Sequence, residues 1–268
     1  MARQFKGASF VRTAPGVLSL CTFGQSQPII NLLRTPGMID QIARPLLAIR
    51  PRQQRFPAPS CGRLVRTGLR NRLLASLPEA DHALLRPHLA PVTLNFRQRL
   101  QSANRRVKAA YFLESGIASV VAIATGSHSQ TEVAVIGCEG IVGLPIVLRA
   151  DRHVRSSFSR KAHGQCIEAA DLVSVMSQSP TLSDALLRFA HFFSVQSGYT
   201  ALANAHGKVE ERLARWLLMA QDRIASKELI LTHEFLALML GVRRAGVTVA
   251  LQHFEVKGLI TAARGSMR

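Results

Sequence analysis

The stretch Leu231–Glu255, LTHEFLALMLGVRRAGVTVALQHFE, carries the pattern of two short helices joined by a tight turn. Thr232 is a suitable N-cap, because its hydroxyl can accept a hydrogen bond from a free backbone N–H group of the first turn. Gly241 marks the end of the first helix, since glycine readily adopts the left-handed conformation found there. A second helix begins near Arg243. Its inner face consists of Val247, Ala250, Leu251 and Phe254. The stretch therefore predicts a helix-turn-helix.

Two arginines open the second helix. Arg243 and Arg244 stand at a helix N-terminus, where positive charge opposes the helix dipole. A structural role therefore explains them poorly, whereas contact with DNA explains them well, since a helix-turn-helix places this end in the major groove. Thr248 and Gln252 follow on the same outward face at helical spacing, so they are further candidates for base or phosphate contacts.

Net charge does not locate this surface by itself. The 268 residues carry a formal charge of +18, which favours a polyanionic partner such as nucleic acid. Residues 1–70 contribute +10 of it, because they contain eleven Lys and Arg and a single acid, Asp40. More than half of the excess therefore lies outside the helix-turn-helix.

Residues 1–70 form a basic extension rich in Pro and Arg. Its prolines, concentrated between Pro45 and Pro59, interrupt regular structure. We expect a poorly ordered extension, or sequence translated upstream of the natural start. The alternative is a basic arm that contacts nucleic acid or membrane lipid.

Cysteine spacing and hydropathy argue against several classes of protein. The four cysteines lack the spacing of a zinc site and predict free thiols in a reducing cytosol. No uninterrupted apolar run reaches the roughly 20 residues that span a bilayer. A cytoplasmic protein without membrane contact is therefore expected. No nucleophile–base motif, carboxylate pair or metal-ligand spacing indicates an enzyme or a metal site.

Residues 71–175 predict a β-domain. Two small amphipathic helices precede a series of short apolar or alternating segments, such as Gly116–Ala124 and Thr131–Ile136, with turn signals between them. Further strands are expected at Ser156–Ser159 and His163–Ala169. Many short strands at this spacing are typical of an antiparallel barrel or jelly roll.

Residues 176–206 predict one long helix between the β-domain and the helix-turn-helix. A stripe of mostly apolar or small residues recurs along it at alternating steps of three and four. Such a stripe usually faces the core of its own chain, but a single long helix between two domains can equally form a dimer seam. The stripe consists of Leu182, Leu186, Phe189, Phe193, Gln196, Thr200 and Ala203.

Four segments follow one another in a recognisable order. They are YFLESGIASVVA (Tyr111–Ala122), with an E-S-G turn between two strands, GCEGIVGLP (Gly137–Pro145), HGKVEERLARWLL (His206–Leu218), and the helix-turn-helix with GLITAARG. Through these segments, residues 71–268 resemble the Crp/Fnr (cyclic-AMP receptor protein/Fnr) family of bacterial transcription regulators. The resemblance implies an α+β chain with a jelly-roll sensor domain, a dimerisation helix and a winged helix-turn-helix over residues 207–268. It also implies a homodimer, with double-stranded DNA and RNA polymerase as partners.

The sensor segment departs from the members that bind cyclic nucleotides. Glu139 lies one position away from the glutamate of the family's phosphate cassette, and no Arg-Ala pair follows in register. The close cysteine cluster of iron–sulfur members is also missing, and no histidine stands out as a haem ligand. The sequence therefore predicts no cyclic AMP, iron–sulfur cluster or haem. The effector is a different small molecule, or there is none.

The resemblance assigns roles within the helix-turn-helix. Arg244 matches the arginine that reaches a guanine edge, and Arg243 is expected on a phosphate or a second base. Ala245 replaces an acidic base-reading residue of the founding member and can lie against a thymine methyl group. Thr232 and Arg264 match the phosphate contacts of the first helix and of the wing.

The wing is expected to be incomplete, because only Ser266, Met267 and Arg268 follow GLITAARG. Its second strand is either truncated or supplied elsewhere. The main prediction is a homodimeric regulator that reads a two-fold-related DNA site. The alternative is a ligand-binding or interaction module that has lost competent DNA binding.

Overall fold

The structure, a computed structural model, describes residues 69–123, 130–150, 155–224, 229, 231–263 and 266–267. Side chains are described in these ranges except at 155–161 and from 262 onward. Nearly all of the predicted extension, residues 1–68, lies outside the described residues, and so does Arg264.

The β-domain contains a six-stranded antiparallel sheet. Along the sheet the strand order is β1-β6-β3-β4, with β2 beside β6 and β5 beside β3. The strands are β1 (Ala90–Leu94), β2 (Arg99–Gln101), β3 (Ala109–Ile123), β4 (Gln130–Ile136), β5 (Ile141–Val142) and β6 (Arg155–Glu168). Short helices lie before and within the sheet: α1 (Arg72–Ala75), α2 (Glu79–Leu85) with a 3-10 turn (Arg86–His88), and α3 (Leu144–Val147).

Strand β3 runs without a break through the E-S-G sequence, so the predicted turn between two strands is wrong. Gly116 has a φ of +74°, and the pairing of β3 with β6 shifts register on both sides of Ser115. The glycine therefore serves a bulge that bends one long strand, because a positive φ is accessible to glycine without strain. The two strands predicted between 156 and 169 are likewise a single strand, β6.

The long helix is α5 (Pro180–His206), and a separate helix, α4 (Ala169–Gln178), precedes it. Ser179 separates the two, and its hydroxyl oxygen accepts a hydrogen bond of 3.0 Å from the Leu182 backbone N–H. The same hydroxyl donates to Asp81 Oδ1. The long helix therefore begins at Pro180, and the predicted domain boundary at 175/176 falls inside α4.

The C-terminal domain contains three helices and a small hairpin. They are α6 (Val209–Gln221), α7 (His233–Leu240), α8 (Arg244–Val256), β7 (Ala262–Ala263) and β8 (Ser266–Met267). Ala262 pairs with Met267 and Ala263 with Ser266, in antiparallel register. The last residues of the chain thus supply the second wing strand, so the expectation of half a hairpin is wrong.

Among the described residues, the buried apolar side chains form two cores. One lies between the sheet and helices α4 and α5. The other core is shared between the β-domain and the C-terminal domain. Ile117, Val121 and Val135 of the sheet are buried there together with Leu213 and Trp216 of α6. The predicted α+β class, with an antiparallel β-domain, a long helix and a C-terminal winged helix-turn-helix, is confirmed. No helix in the described ranges is long and apolar enough to cross a bilayer.

Candidate nucleic-acid interface

The helix-turn-helix forms where the sequence places it. The Thr232 side chain caps α7 by accepting a 3.1 Å hydrogen bond from the Phe235 backbone N–H. Gly241 ends α7 with a φ of +61°, in the left-handed conformation that favours glycine. Only three residues, 241–243, separate α7 from α8, which leaves room for only a tight turn. These signals are local, so the sequence alone predicts both ends of α7.

The start of α8 is positively charged and open to solvent. Arg243 is the N-cap residue, Arg244 is the first helical residue, and both are exposed together with Ala245. The first turn of α8, which the structure describes throughout, contains no acidic residue. Gln252 is exposed two turns further on. The side chains predicted to contact DNA at this end are therefore accessible, and their contacts with DNA stay predictions.

Thr248 differs from the other predicted contacts. Its side chain is half-buried, and its hydroxyl donates a hydrogen bond of 3.1 Å to the Arg244 carbonyl. His233 Nδ1 lies 3.0 Å from Thr248 Oγ1, and the ring nitrogen is the donor there because the hydroxyl hydrogen is already used. Thr248 thus links α7 to α8, and its predicted contact with DNA stays a prediction.

The outermost ridge of α8 includes two residues that the sequence pattern did not single out. Ala245, Val249, Gln252 and Val256 recur at steps of four, three and four, opposite the buried face. Val249 is 60% exposed and Val256 is 88% exposed. Valines in a helical pattern are normally assigned to the core, and only their phase relative to the buried residues reveals these two as outward-facing.

The stripe predicted as a dimer seam packs against its own chain. Six of its seven residues are buried, and Thr200 is half-buried. Leu182, Leu186, Phe189 and Phe193 belong to the core of the β-domain. Gln196 Oε1 accepts a 2.8 Å hydrogen bond from the Val135 backbone N–H of β4, and Ala203 faces α6. This stripe is not available to a second copy, because the sheet and α6 already cover it.

A buried ion pair joins the two domains. Arg223, just after α6, donates from Nε to Glu139 Oε1 over 2.6 Å, and the side chains are only 9% and 7% exposed. Glu139 also accepts from the Gly137 backbone N–H, and Arg223 Nη1 donates to the Met219 carbonyl. Glu139 belongs to the glycine-rich segment Gly137–Pro145, so that segment is tied directly to the C-terminal domain.

Helix α6 makes further polar contacts, one with the β-domain and one within its own domain. Trp216 Nε1 donates to Glu132 Oε1 of β4, and Arg212 Nη2 donates to the Leu240 carbonyl at the end of α7. Burial lowers the pKa of Arg212. It also lowers the pKa of Arg215 to about 10, with the Arg223 charge acting in the same direction and Glu132 opposing it. Both arginines remain charged at neutral pH, so α6 holds two positively charged side chains at partly buried positions.

Asp222 is the acid of this region with a perturbed pKa. Burial raises the pKa of Asp222 to about 6, and Glu139 adds to the rise, whereas Arg223 and Arg72 lower it. The carboxylate is thus held in a place where its charged form is disfavoured. The pKa places the gain or loss of the Asp222 proton near pH 6.

The turn of the helix-turn-helix lies beside the β-domain. A Cβ atom added to Gly241 would stand 2.3 Å from Thr131 Oγ1 and 3.9 Å from the Gln130 carbonyl oxygen, both at the start of β4. Glycine at this position thus allows β4 to approach the turn. The β-domain reaches the edge from which Arg243 and Arg244 project.

The sequence of this region matches a known domain. Residues 211–268 match the family model of the Crp-like helix-turn-helix domain. The C-terminal domain is therefore similar to a Crp-like helix-turn-helix domain. The match includes nearly all of α6, both helices of the helix-turn-helix and the hairpin, which agrees with the assignment of β7 and β8 as its wing.

Solved structures extend the likeness to most of the chain. One, assigned to the transcriptional regulators of the Crp/Fnr family from Eubacterium rectale, has 18% identity and a TM-score of 0.58, covering 73% of this chain and 91% of that one. The c-di-GMP-responsive global regulator CLP of Xanthomonas campestris has 16% identity and a TM-score of 0.58, with coverages of 70% and 97%. A CRP-family transcriptional regulator of Thermus thermophilus has 15% identity and a TM-score of 0.55, with coverages of 66% and 90%.

A comparison with curated proteins finds no match. At these identities the solved structures show the fold alone. The chain therefore has the fold of a Crp/Fnr-type transcription regulator, and its Crp-like helix-turn-helix domain is the candidate nucleic-acid interface.

Proposed function

We propose that this protein is a sequence-specific DNA-binding transcription regulator that works as a homodimer in the cytoplasm. The observation that carries the proposal is the exposed start of α8, where Arg243 and Arg244 project beyond the turn of a Crp-like helix-turn-helix domain. A planar guanidinium at this position can donate two hydrogen bonds to O6 and N7 of guanine. Catalysis has no part in this proposal, and RNA polymerase is the expected partner at promoters.

The homodimer is expected to use the exposed face of α5. That face carries an unbroken heptad pattern, with alternating steps of four and three, and its side chains are small or apolar apart from one histidine. Leu187 on this face is 47% exposed, and Leu202, which flanks the exposed face, is 37% exposed. The residues of this face are Leu187, His191, Ser194, Gly198, Ala201 and Ala205.

The oligomeric state tests this part of the proposal. Size-exclusion chromatography with light scattering should give a dimer for the wild type and a monomer for Ala201→Glu, because a buried carboxylate opposite its own copy is strongly unfavourable. Thr181→Glu, at an exposed position outside this face of α5, is the matched control and should remain dimeric. A monomeric wild type would reject the homodimer.

The β-domain is proposed to act as the sensor, with an effector other than cyclic AMP or with none. The carboxylate of Glu139 is already satisfied by Arg223 and the Gly137 N–H. A Cβ on Gly140 would stand 2.0 Å from the Phe189 ring, so the glycine-rich segment lies directly on α5. Calorimetric titration with cyclic AMP should show no binding, and saturable binding would overturn this part.

DNA selection tests the regulator itself. Incubation of the protein with fragmented genomic DNA should enrich a two-fold-related sequence with half-sites about one helical turn apart. Arg244→Ala should abolish the enrichment while leaving thermal unfolding unchanged, because the side chain is exposed. Equal, salt-sensitive retention of all fragments by both proteins would reject sequence-specific binding.

The alternative of an interaction module without DNA binding loses its main support. It rested on a missing wing strand, and the β7–β8 pair supplies that strand.

A further inference from the structure

The outward ridge of α8 consists mostly of apolar side chains along the part that would enter the DNA major groove. The buried face of the helix consists of Val247, Ala250, Leu251 and Phe254. At 100° per residue, the ridge of Ala245, Val249, Gln252 and Val256 lies on the opposite side, within a narrow arc. Only Gln252 on this ridge can form a hydrogen bond through its side chain.

Folding does not account for the exposed valine at 249. Valine has a lower helix propensity than most unbranched residues, because its branched side chain has one favourable rotamer in a helix. Val249 also has 60% of its surface in water, so it adds little to the core. Together with Ala245 on the same exposed ridge, this apolar side chain gains most when a partner covers it.

The DNA major groove offers one apolar group to such a side chain, the C5-methyl group of thymine. Arg244 directly precedes Ala245, and the first turn of α8 contains no acid that would repel phosphates. Val249 stands one turn after Ala245, about 6 Å along the helix axis. An arginine–guanine contact would therefore bring both apolar residues over the neighbouring base pairs.

We infer that Ala245 and Val249 determine specificity by packing against C5-methyl groups of thymines next to the guanine that Arg244 contacts. This inference rests on the proposed DNA-binding function and adds the chemistry of the bases read. Val256 belongs to the same ridge, but it lies about 10 Å beyond Val249 along the axis, toward the end of the helix that leads out of the groove.

Replacement of thymine by uracil tests the inference, because it removes the methyl group and leaves base pairing intact. In the sequence enriched by selection, each thymine is replaced in turn, and the dissociation constant is measured at fixed salt. For the wild type, one or two positions per half-site should weaken binding about three- to fivefold each. Positions outside the reach of α8 should be unaffected.

Protein variants complete a double-mutant cycle. Val249→Ala should weaken binding to thymine DNA by a similar factor, and uracil at the sensitive position should then cost nothing more. Val256→Ala, an equally simple truncation of an exposed valine, should keep the full sensitivity of the wild type. Circular dichroism should show unchanged folding for both.

Two outcomes would overturn the inference. One is wild-type binding that no uracil weakens, and the other is a Val249→Ala variant that keeps the wild-type sensitivity to uracil. Either would leave the proposed function intact. Failure to enrich any sequence would instead reject the proposed function, and this inference with it.

Discussion

The arginines of the α6 region and those at the start of α8 lie in contrasting environments. Arg215 and Arg223 are largely removed from water and are used on a carboxylate, a carbonyl and a hydroxyl of the same chain. Arg243 and Arg244 are exposed at the end of a helix whose dipole does not favour them. The comparison separates arginines that bind partners in their own chain, and so help to dock the domains, from arginines left open to solvent, which we propose contact DNA.

The largest expected effect comes from breaking the buried pair. Arg223→Met leaves the Glu139 carboxylate buried without its cation, which should lower the free energy of unfolding by about 3–5 kcal/mol. Chemical denaturation at pH 7.5 measures this loss. The double variant Glu139→Gln/Arg223→Met should recover more than half of it, since no uncompensated charge remains. Arg244→Met should change stability by less than about 0.5 kcal/mol. A similar loss for both single variants would contradict the comparison.

A glycine lies near each group of arginines, and the two glycines differ in how closely other atoms surround them. A Cβ on Gly137 would stand 2.7 Å from Arg223 Cβ and Cγ and 2.9 Å from Glu139 Oε2, whereas one on Gly246 meets nothing within 4 Å. Gly137→Ala should therefore destabilise the protein by about 1–3 kcal/mol. Gly246→Ala should stabilise it by up to about 1 kcal/mol through helix propensity. Thermal unfolding of the two variants in parallel measures both, and equal shifts would show that the two sites are packed alike.

Protonation of Asp222, just after α6, should stabilise the folded protein at acid pH. The pKa of Asp222 is raised from 3.8 to about 6 on folding, so the folded state binds a proton more readily. Its contribution to stability is fully present below pH 4 and is lost as pH rises through about 6. Asp222→Asn should thus be more stable than the wild type at pH 7.5, by about 1–2 kcal/mol after allowance for partial exposure. The two proteins should have similar stability near pH 4. An Asn variant that is less stable at pH 7.5 would show that the carboxylate is needed in its charged form.

The smallest expected effect belongs to Arg243. If this side chain contacts a phosphate, Arg243→Ala should weaken binding to specific and random DNA alike, and the slope of log affinity against log salt should fall by about 1. Fluorescence anisotropy at several salt concentrations gives both quantities. Loss of preference for one sequence over another would assign Arg243 to a base instead.

Local signals made the helix-turn-helix predictable from sequence. A capping threonine and a left-handed glycine act within a few residues of each other, so Thr232 and Gly241 define both ends of α7. The E-S-G sequence misled because a turn and a bulge need the same glycine conformation. Which of them forms depends on pairing with β6, some 50 residues away. The wing was missed because a hairpin with two residues per strand leaves almost no periodicity.

Contacts between distant residues lay beyond the sequence. The alternating stripe of α5 correctly marks the face that leaves water, but a period of 3.6 residues does not say whether the sheet or a second copy covers it. Glu139 and Arg223 are 84 positions apart, and nothing local connects them. Val249 was overlooked for a related reason, since a valine next to buried residues in a helix gives no sign of exposure until the whole face is placed.

Arg244→Lys is the most direct test of the central claim, that the exposed arginines of α8 read DNA while those of the α6 region hold the domains together. Lysine keeps the charge but loses the planar fork that can bind guanine through two hydrogen bonds. Affinity for the selected sequence should fall about 10- to 100-fold, whereas affinity for random DNA and its salt dependence should not change. Unchanged affinity for the selected sequence, or an equal loss on both DNAs, would contradict the claim.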